Sequence, residues 1–149
     1  MVYPERMADT SHELSTSVLR ERLEAAFPSL LDELTQLVAI PSVSSDPAHA
    51  ADVERSAEHL RERFAALGLD AKVLRETAED GTEGKPALVA HTPHIEGAPT
   101  VLLYAHHDVQ PVGELSRWSM DPYKAEGRGD RIYGRGSSDD GAGITVHLG

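Results

Sequence analysis

Apolar residues recur at two different periods along this chain, and the change of period separates helices from strands. From Leu14 to Val38, the residues Leu19, Leu23, Phe27, Leu30, Leu34 and Leu37 fall at three- and four-residue spacings. That pattern predicts an amphipathic helix, which Pro28 splits or kinks because an interior proline removes a hydrogen bond. IPSVSSDP breaks the pattern with Pro41 and a serine cluster, and Asp46-Pro47 reads as an N-cap followed by a first-turn proline. A second helix then carries Ala51, Val53, Ala57, Leu60, Phe64 and Leu67 among charges until Gly68 ends it. DAKVLRE and PALVAHT (Pro86 to Thr92) follow as strands, separated by the polar turn TAEDGTEGK.

After a further turn, PHIEGAPT, the run Thr100 to Ala105 is almost wholly apolar, which predicts a central strand covered on both faces. It stops at His106-His107-Asp108. On a strand His106 and Asp108 project to one face and His107 to the other. Open α/β sheets place ligands beyond the carboxyl ends of their strands, so this is where chemistry is expected. Downstream, VGELSRWSMDPYKAEGRGD reads as a loop with Trp118 and the turn signal Asp121-Pro122. Ile132 and Tyr133 suit a short strand, Gly134 and Gly136 permit tight turns before Asp139, and a helix begins at Gly141. No internal repeat or low-complexity tract interrupts this order, and the fold class is α/β.

Composition narrows the setting. With 149 residues, 40% of them hydrophobic and 26% charged, the chain suits one soluble domain with a real core. A formal charge of -11 argues against nucleic acid or an anionic membrane as the partner. The absence of cysteine removes disulfides and thiolate ligands, so a metal site would be built from His, Asp and Glu. MVYPERMADTSHEL has no apolar leader core, and no stretch reaches the ~20 apolar residues that span a bilayer. The expected location is the cytoplasm.

A single H-x-D triplet arises often by chance. Here a predicted buried strand delivers His106 and Asp108, and a glycine-rich turn delivers Asp139 and Asp140 to the same edge. Imidazole and carboxylate are suitable zinc ligands. Asp108 either receives the far N–H of His106, fixing its tautomer, or caps a helix or a loop. Trp118 and Tyr123 read as packing or loop anchors, and Arg135 as the partner of a carboxylate near the site or in a structural salt bridge. Ser137 and Ser138 lack a nucleophile elbow, and GRGSSDDGAG lacks the lysine of a P-loop. His12, His49, His59, His91, His94 and His147 show no ligand spacing, and Glu76 to Glu83 is a solvated turn.

The blocks LVAIPSVSSDP, VLLYAHHDVQPVGELSRWSMDPYKAE and GDRIYGRGSSDDGAG resemble the co-catalytic zinc peptidases and deacylases, a family that includes carnosine dipeptidases, acetylornithine deacetylase, succinyl-diaminopimelate desuccinylase and aminoacylases. The forms HxDVQP, W..DPY and GRGSSDD look most like the dipeptidase branch. The resemblance implies a three-layer α/β/α zinc-peptidase catalytic domain, with residues 14–149 as its N-terminal part after a polar segment, 1–13. It implies that His106 ligates one metal, that Asp139 bridges two, and that Asp108 supports His106 and the catalytic base. The implied cofactor is a pair of zinc ions, with manganese or cobalt as alternatives. The implied substrate is a small peptide or an N-acyl amino acid, and the implied assembly of the parent a homodimer.

Two departures stand out. Many relatives have lysine where this chain has Gly141. The family's downstream glutamate pair, further acidic ligand, final histidine and inserted lid and dimerisation domain are not in these residues. The expectation is therefore a truncated N-terminal portion of a dipeptidase, inactive alone. The alternatives are an N-acyl amino-acid deacylase of the same family or an inactive α/β fragment that serves as a binding module.

Overall fold

The computed structural model describes residues 15–149. The polar segment expected over 1–13, and His12 with it, lies outside them. Helix α1 runs Thr16–Val38, and Ser15 caps it by accepting the Val18 N–H at 3.4 Å. It continues through Pro28 without interruption. Around that proline the helix is exposed, Glu24 included, so the carbonyl that loses its partner can turn to water. The apolar stripe is used only in part: Leu34, Leu37 and Val38 are buried, whereas Leu19, Leu23 and Phe27 are each about half exposed.

At the second helix Asp46 accepts the Ala48 N–H at 2.9 Å, above a 3-10 turn at Pro47–His49. Helix α2 spans Ala50–Ala66 and buries Val53, Ser56, Ala57 and Leu60. Gly68 ends it in the left-handed region, at φ +86°. Strands β1 (Asp70–Leu74) and β2 (Ala87–His91) pair antiparallel, with Lys72 opposite Val89, and pack on α2. A second hairpin, β3 (Glu126–Arg128) and β4 (Arg131–Tyr133), turns through Gly129 at φ +64° and Asp130. Sequence reading places β4 but leaves β3 within a loop. Helix α3, Gly141–Leu148, packs on α1. Leu37, Leu60 and Ile144 bring the three helices into one core, with Phe64, Leu88, Ala105 and Leu148 against it. The architecture is α/β, with helices and strands mixed.

The strand expected over Thr100 to Ala105 is a correction. Residues 101–104 form no ladder, and Val101, Leu102, Leu103 and Tyr104 are 76, 89, 61 and 80% exposed. A fully apolar strand needs a neighbour on each edge and a layer on each face, and the described residues supply neither. Only Ala105 reaches the core, and the Tyr104 carbonyl accepts from His147 Nε2 at 3.0 Å.

Candidate metal centre

His106 is held from both ends of its ring. Nδ1 lies 3.0 Å from the Asp108 carbonyl oxygen and 3.2 Å from Asp108 Oδ1. Nε2 lies 3.0 Å from Asp139 Oδ1. The backbone N–H of His106 donates to Asp140 Oδ2 at 3.2 Å, so Asp140 braces the loop instead of facing outward with Asp139. The structure thus brings together His106, Asp108 and Asp139, the three residues singled out in the sequence, across a separation of more than thirty positions. His107 points the other way: its Nε2 lies 3.1 Å from the Pro86 carbonyl.

What fixes this loop is a set of serines. Ser42 and Ser56, both buried, donate to the one carbonyl of His107 at 2.8 and 3.3 Å. The Val109 N–H returns a bond to the Ser42 carbonyl at 3.0 Å. Ser44 donates to Asp108 Oδ2 at 2.5 Å. The segment after Pro41 reads in the sequence as a helix break, a cap for the next helix and a block of the family resemblance, none of which names a partner for its serines. Their one legible signal is the density of hydroxyl donors just upstream of a second helix, and that does not name their targets.

The Asp139 side is shaped by glycine. Gly136 has φ +78°, and a Cβ there would stand 2.5 Å from Val109 Cγ1, so the GRG turn lies directly against the histidine loop. A Cβ on Gly141 would meet the Gly136 carbonyl oxygen at 2.7 Å and Leu34 Cδ1 at 2.9 Å. The lysine that the resemblance leads one to expect at this position has no room on this backbone. Arg135, between the two glycines of the turn, stacks its guanidinium 5.3 Å from the Trp118 ring centroid and donates to the Pro111 carbonyl at 3.2 Å. Trp118 in turn donates to the Val112 carbonyl at 2.9 Å, which ties down the loop between the histidines and β3.

The electrostatics favour a cation. Partial burial works against a charged His106 ring, but hydrogen bonds to the Asp108 backbone and to Asp139, and the charges of both carboxylates, outweigh it. The imidazole is held above its ordinary 6.5. The donor set suits a borderline or hard divalent ion, with one imidazole and one outward carboxylate. Two ligands on one tetrahedral zinc ion sit roughly 3.4 Å apart, and His106 Nε2 and Asp139 Oδ1 are already 3.0 Å apart. Among the described residues no group of three or more such side chains closes a complete cage. Two other histidines hold structure: His59 and Arg63 pair with the buried Glu33 carboxylate across α1 and α2, and His49 bonds Asp52 at 2.7 Å.

Residues 102–149, which contain both halves of this centre, match the model of Peptidase family M20/M25/M40. The chain is 32% identical over 141 residues to a cysteinylglycine-S-conjugate dipeptidase of Corynebacterium striatum, covering 95% of this chain and 28% of that one. It is 36% identical over 109 residues to a succinyl-diaminopimelate desuccinylase of Parvibaculum lavamentivorans, covering 73 and 25%. A solved di-peptidase of Saccharomyces cerevisiae shares the fold with TM-score 0.77 at 24% identity, covering 90 and 31%. The chain therefore spans less than a third of the length of the relatives it matches. Residues 102–149 thus carry the match to Peptidase family M20/M25/M40, and the likeness to these relatives runs over most of this chain.

Proposed function

We infer that this chain carries part of the metal-binding half of a hydrolase that cleaves the amide bond of dipeptides. One observation carries the reading: the His106 ring has Asp108 at Nδ1 and the outward carboxylate of Asp139 at Nε2, within the residues that match the family. The dipeptidase names among the relatives support the substrate class. Asp108 orients the ring by accepting at Nδ1, which leaves the Nε2 lone pair for the ion. Asp139 presents a side chain 83% exposed, open to a second ion on its far side. When bound, a divalent ion supplies a Lewis acid that polarises a carbonyl and acidifies water. Zinc suits the mixed imidazole and carboxylate donors, and manganese and cobalt are the alternatives. A cytoplasmic location and a homodimeric parent belong to the same reading.

The resemblance puts the proton-shuttling glutamate outside these residues, and among the described residues no glutamate hydrogen-bonds to His106, Asp108 or Asp139. Purified residues 1–149 are therefore expected to hydrolyse dipeptides negligibly, and robust metal-dependent turnover by them would overturn that division of labour. The 36% identity to a desuccinylase favours a second reading, an N-acyl amino-acid deacylase. The deciding experiment has two parts. Calorimetric titration of zinc, manganese and cobalt into this chain should show binding that His106→Ala and Asp139→Ala each weaken by at least about 10-fold; equal affinity in all three proteins would sink the metal reading. Assay of the whole protein on a cysteinylglycine-type dipeptide against an N-succinyl amino acid then separates the two substrate classes.

A further inference from the structure

We propose that Ser44 is a positioning residue for the metal edge of His106, acting through Asp108. Its hydroxyl holds Asp108 Oδ2, the other oxygen stays on His106 Nδ1, and Nε2 is left facing Asp139. The proposal rests on the reading of His106 and Asp139 as ligands given above.

The Asp108 carboxylate needs such a hold. It is 38% exposed, and the terminal torsion of an aspartate is a broad, soft rotor. Left to water, the group would turn freely, and His106 Nδ1 would keep only the Asp108 carbonyl as acceptor. The Ser44 bond is charge-assisted and is the shortest contact in the chain of atoms from Ser44 to Asp139.

Ser44 is itself well placed to act as an anchor. It follows Ser42 and Val43, each 2% exposed, in a turn closed by the Asp46 N–H on the Val43 carbonyl at 3.2 Å. The bond from the Val109 N–H to the Ser42 carbonyl, 3.0 Å, locks this turn to the residue after Asp108. Ser42 and Ser56 already hold the loop backbone through the His107 carbonyl. Ser44 has no part in that backbone grip. Its one recorded side-chain partner is the carboxylate, so removing its hydroxyl should release Asp108 without loosening the loop.

The test measures two quantities in the full chain as wild type, Ser44→Ala, Ser44→Cys and Ser44→Thr. One is zinc affinity by calorimetry. The other is the tautomer of His106 in the metal-free protein, read from its imidazole 15N shifts at a pH where the ring is neutral. Ser44→Ala should bind zinc about 10-fold more weakly and show a weakened preference for the Nδ1–H form, and Ser44→Thr should restore both. Ser44→Cys keeps nearly the same volume with only a weak donor, so it should behave like Ser44→Ala even if the smaller side chain disturbs folding. A wild-type tautomer and affinity in both Ser44→Ala and Ser44→Cys would overturn the proposal. If His106→Ala leaves zinc affinity intact, the ligand reading fails, while the tautomer measurement still decides whether Ser44 positions the ring.

Discussion

Residues 101–104 and residues 106–109 are adjacent in the chain and opposite in circumstance. The first are apolar and lie open, with Leu102 at 89% exposure and no ladder partner. The second are polar for three positions of four and are gripped by Ser42, Ser44, Ser56 and Asp140, with the Val109 N–H donating to the Ser42 carbonyl. Hydrophobicity alone would have ranked them the other way. The difference teaches that the candidate metal edge does not take its position from the apolar run that leads to it. Side chains from the turn after α1, from α2 and from Asp140 at the start of α3 place it, by bonds to its backbone and to the Asp108 carboxylate.

The sharpest way to break that contrast is to attack the frame. Leu60 is 2% exposed at the junction of the three helices, and Leu60→Ala should cost about 2–5 kcal/mol in urea unfolding. A loss much below 1 kcal/mol would mean that the helices do not brace the loop. Next comes the grip itself. Ser42→Ala leaves the His107 carbonyl with only the longer bond from Ser56, and a decrease of roughly 1–3 kcal/mol is expected, with faster hydrogen exchange at Val109.

A smaller effect should appear in acid. The hydrogen bond from His49 lowers the Asp52 carboxyl below its ordinary 3.8; partial desolvation opposes this, and Arg55 adds to it. Because the folded value is depressed, the stabilisation is complete above the ordinary value and is lost as pH falls through the lowered one. Asp52→Asn should flatten the stability profile in that window: its small cost falls at neutral pH and disappears once the pH is below the lowered value. Smallest of all should be Leu102→Ser, within about 0.5 kcal/mol of wild type. A large loss there would show that the open run is covered in solution and would erase the contrast.

Much of the fold was legible because period carries it. The three- and four-residue spacing located α1 and α2, the glycine turns before Asp139 marked where α3 begins, and the Asp46-Pro47 signal located the start of the second helix within a few residues. Two strands, Asp70–Leu74 and Ala87–His91, fell inside the segments expected for them. Burial was less legible. Leu19, Leu23 and Phe27 carry the same spacing as Leu34 and Leu37, yet no element packs over them among the described residues. Pairing failed for a related reason, since the run after Thr100 has a strand's composition and no strand beside it.

At the site the metal-type side chains were visible by chemistry, because few residue types can serve as ligands. Their supports were not. The serine bonds to the His107 carbonyl and the Asp108 carboxylate close loops of 65, 51 and 64 residues, and serine is too common for its spacing to mark them. The restriction at Gly141 was equally hidden, since it comes from a carbonyl five positions earlier in a turn whose path the sequence does not encode.

The unequal burial of α1 has a consequence for how this protein opens. By hydrogen bonding it is a single rod from Thr16 to Val38, but its two ends are anchored to very different degrees. Beyond Pro28 the rod carries Leu34, Leu37 and Val38 into the core, and Val38 and Leu34 stand directly behind Gly134 and Gly141. Before Pro28 its apolar side chains touch solvent, so the outer turns can unwind and rewind without disturbing anything attached to the inner ones. Deuterium uptake should divide the helix near the proline. Its amino-terminal amides should label in a fast local phase, and the turns that back the GRG loop should label only when the whole domain opens.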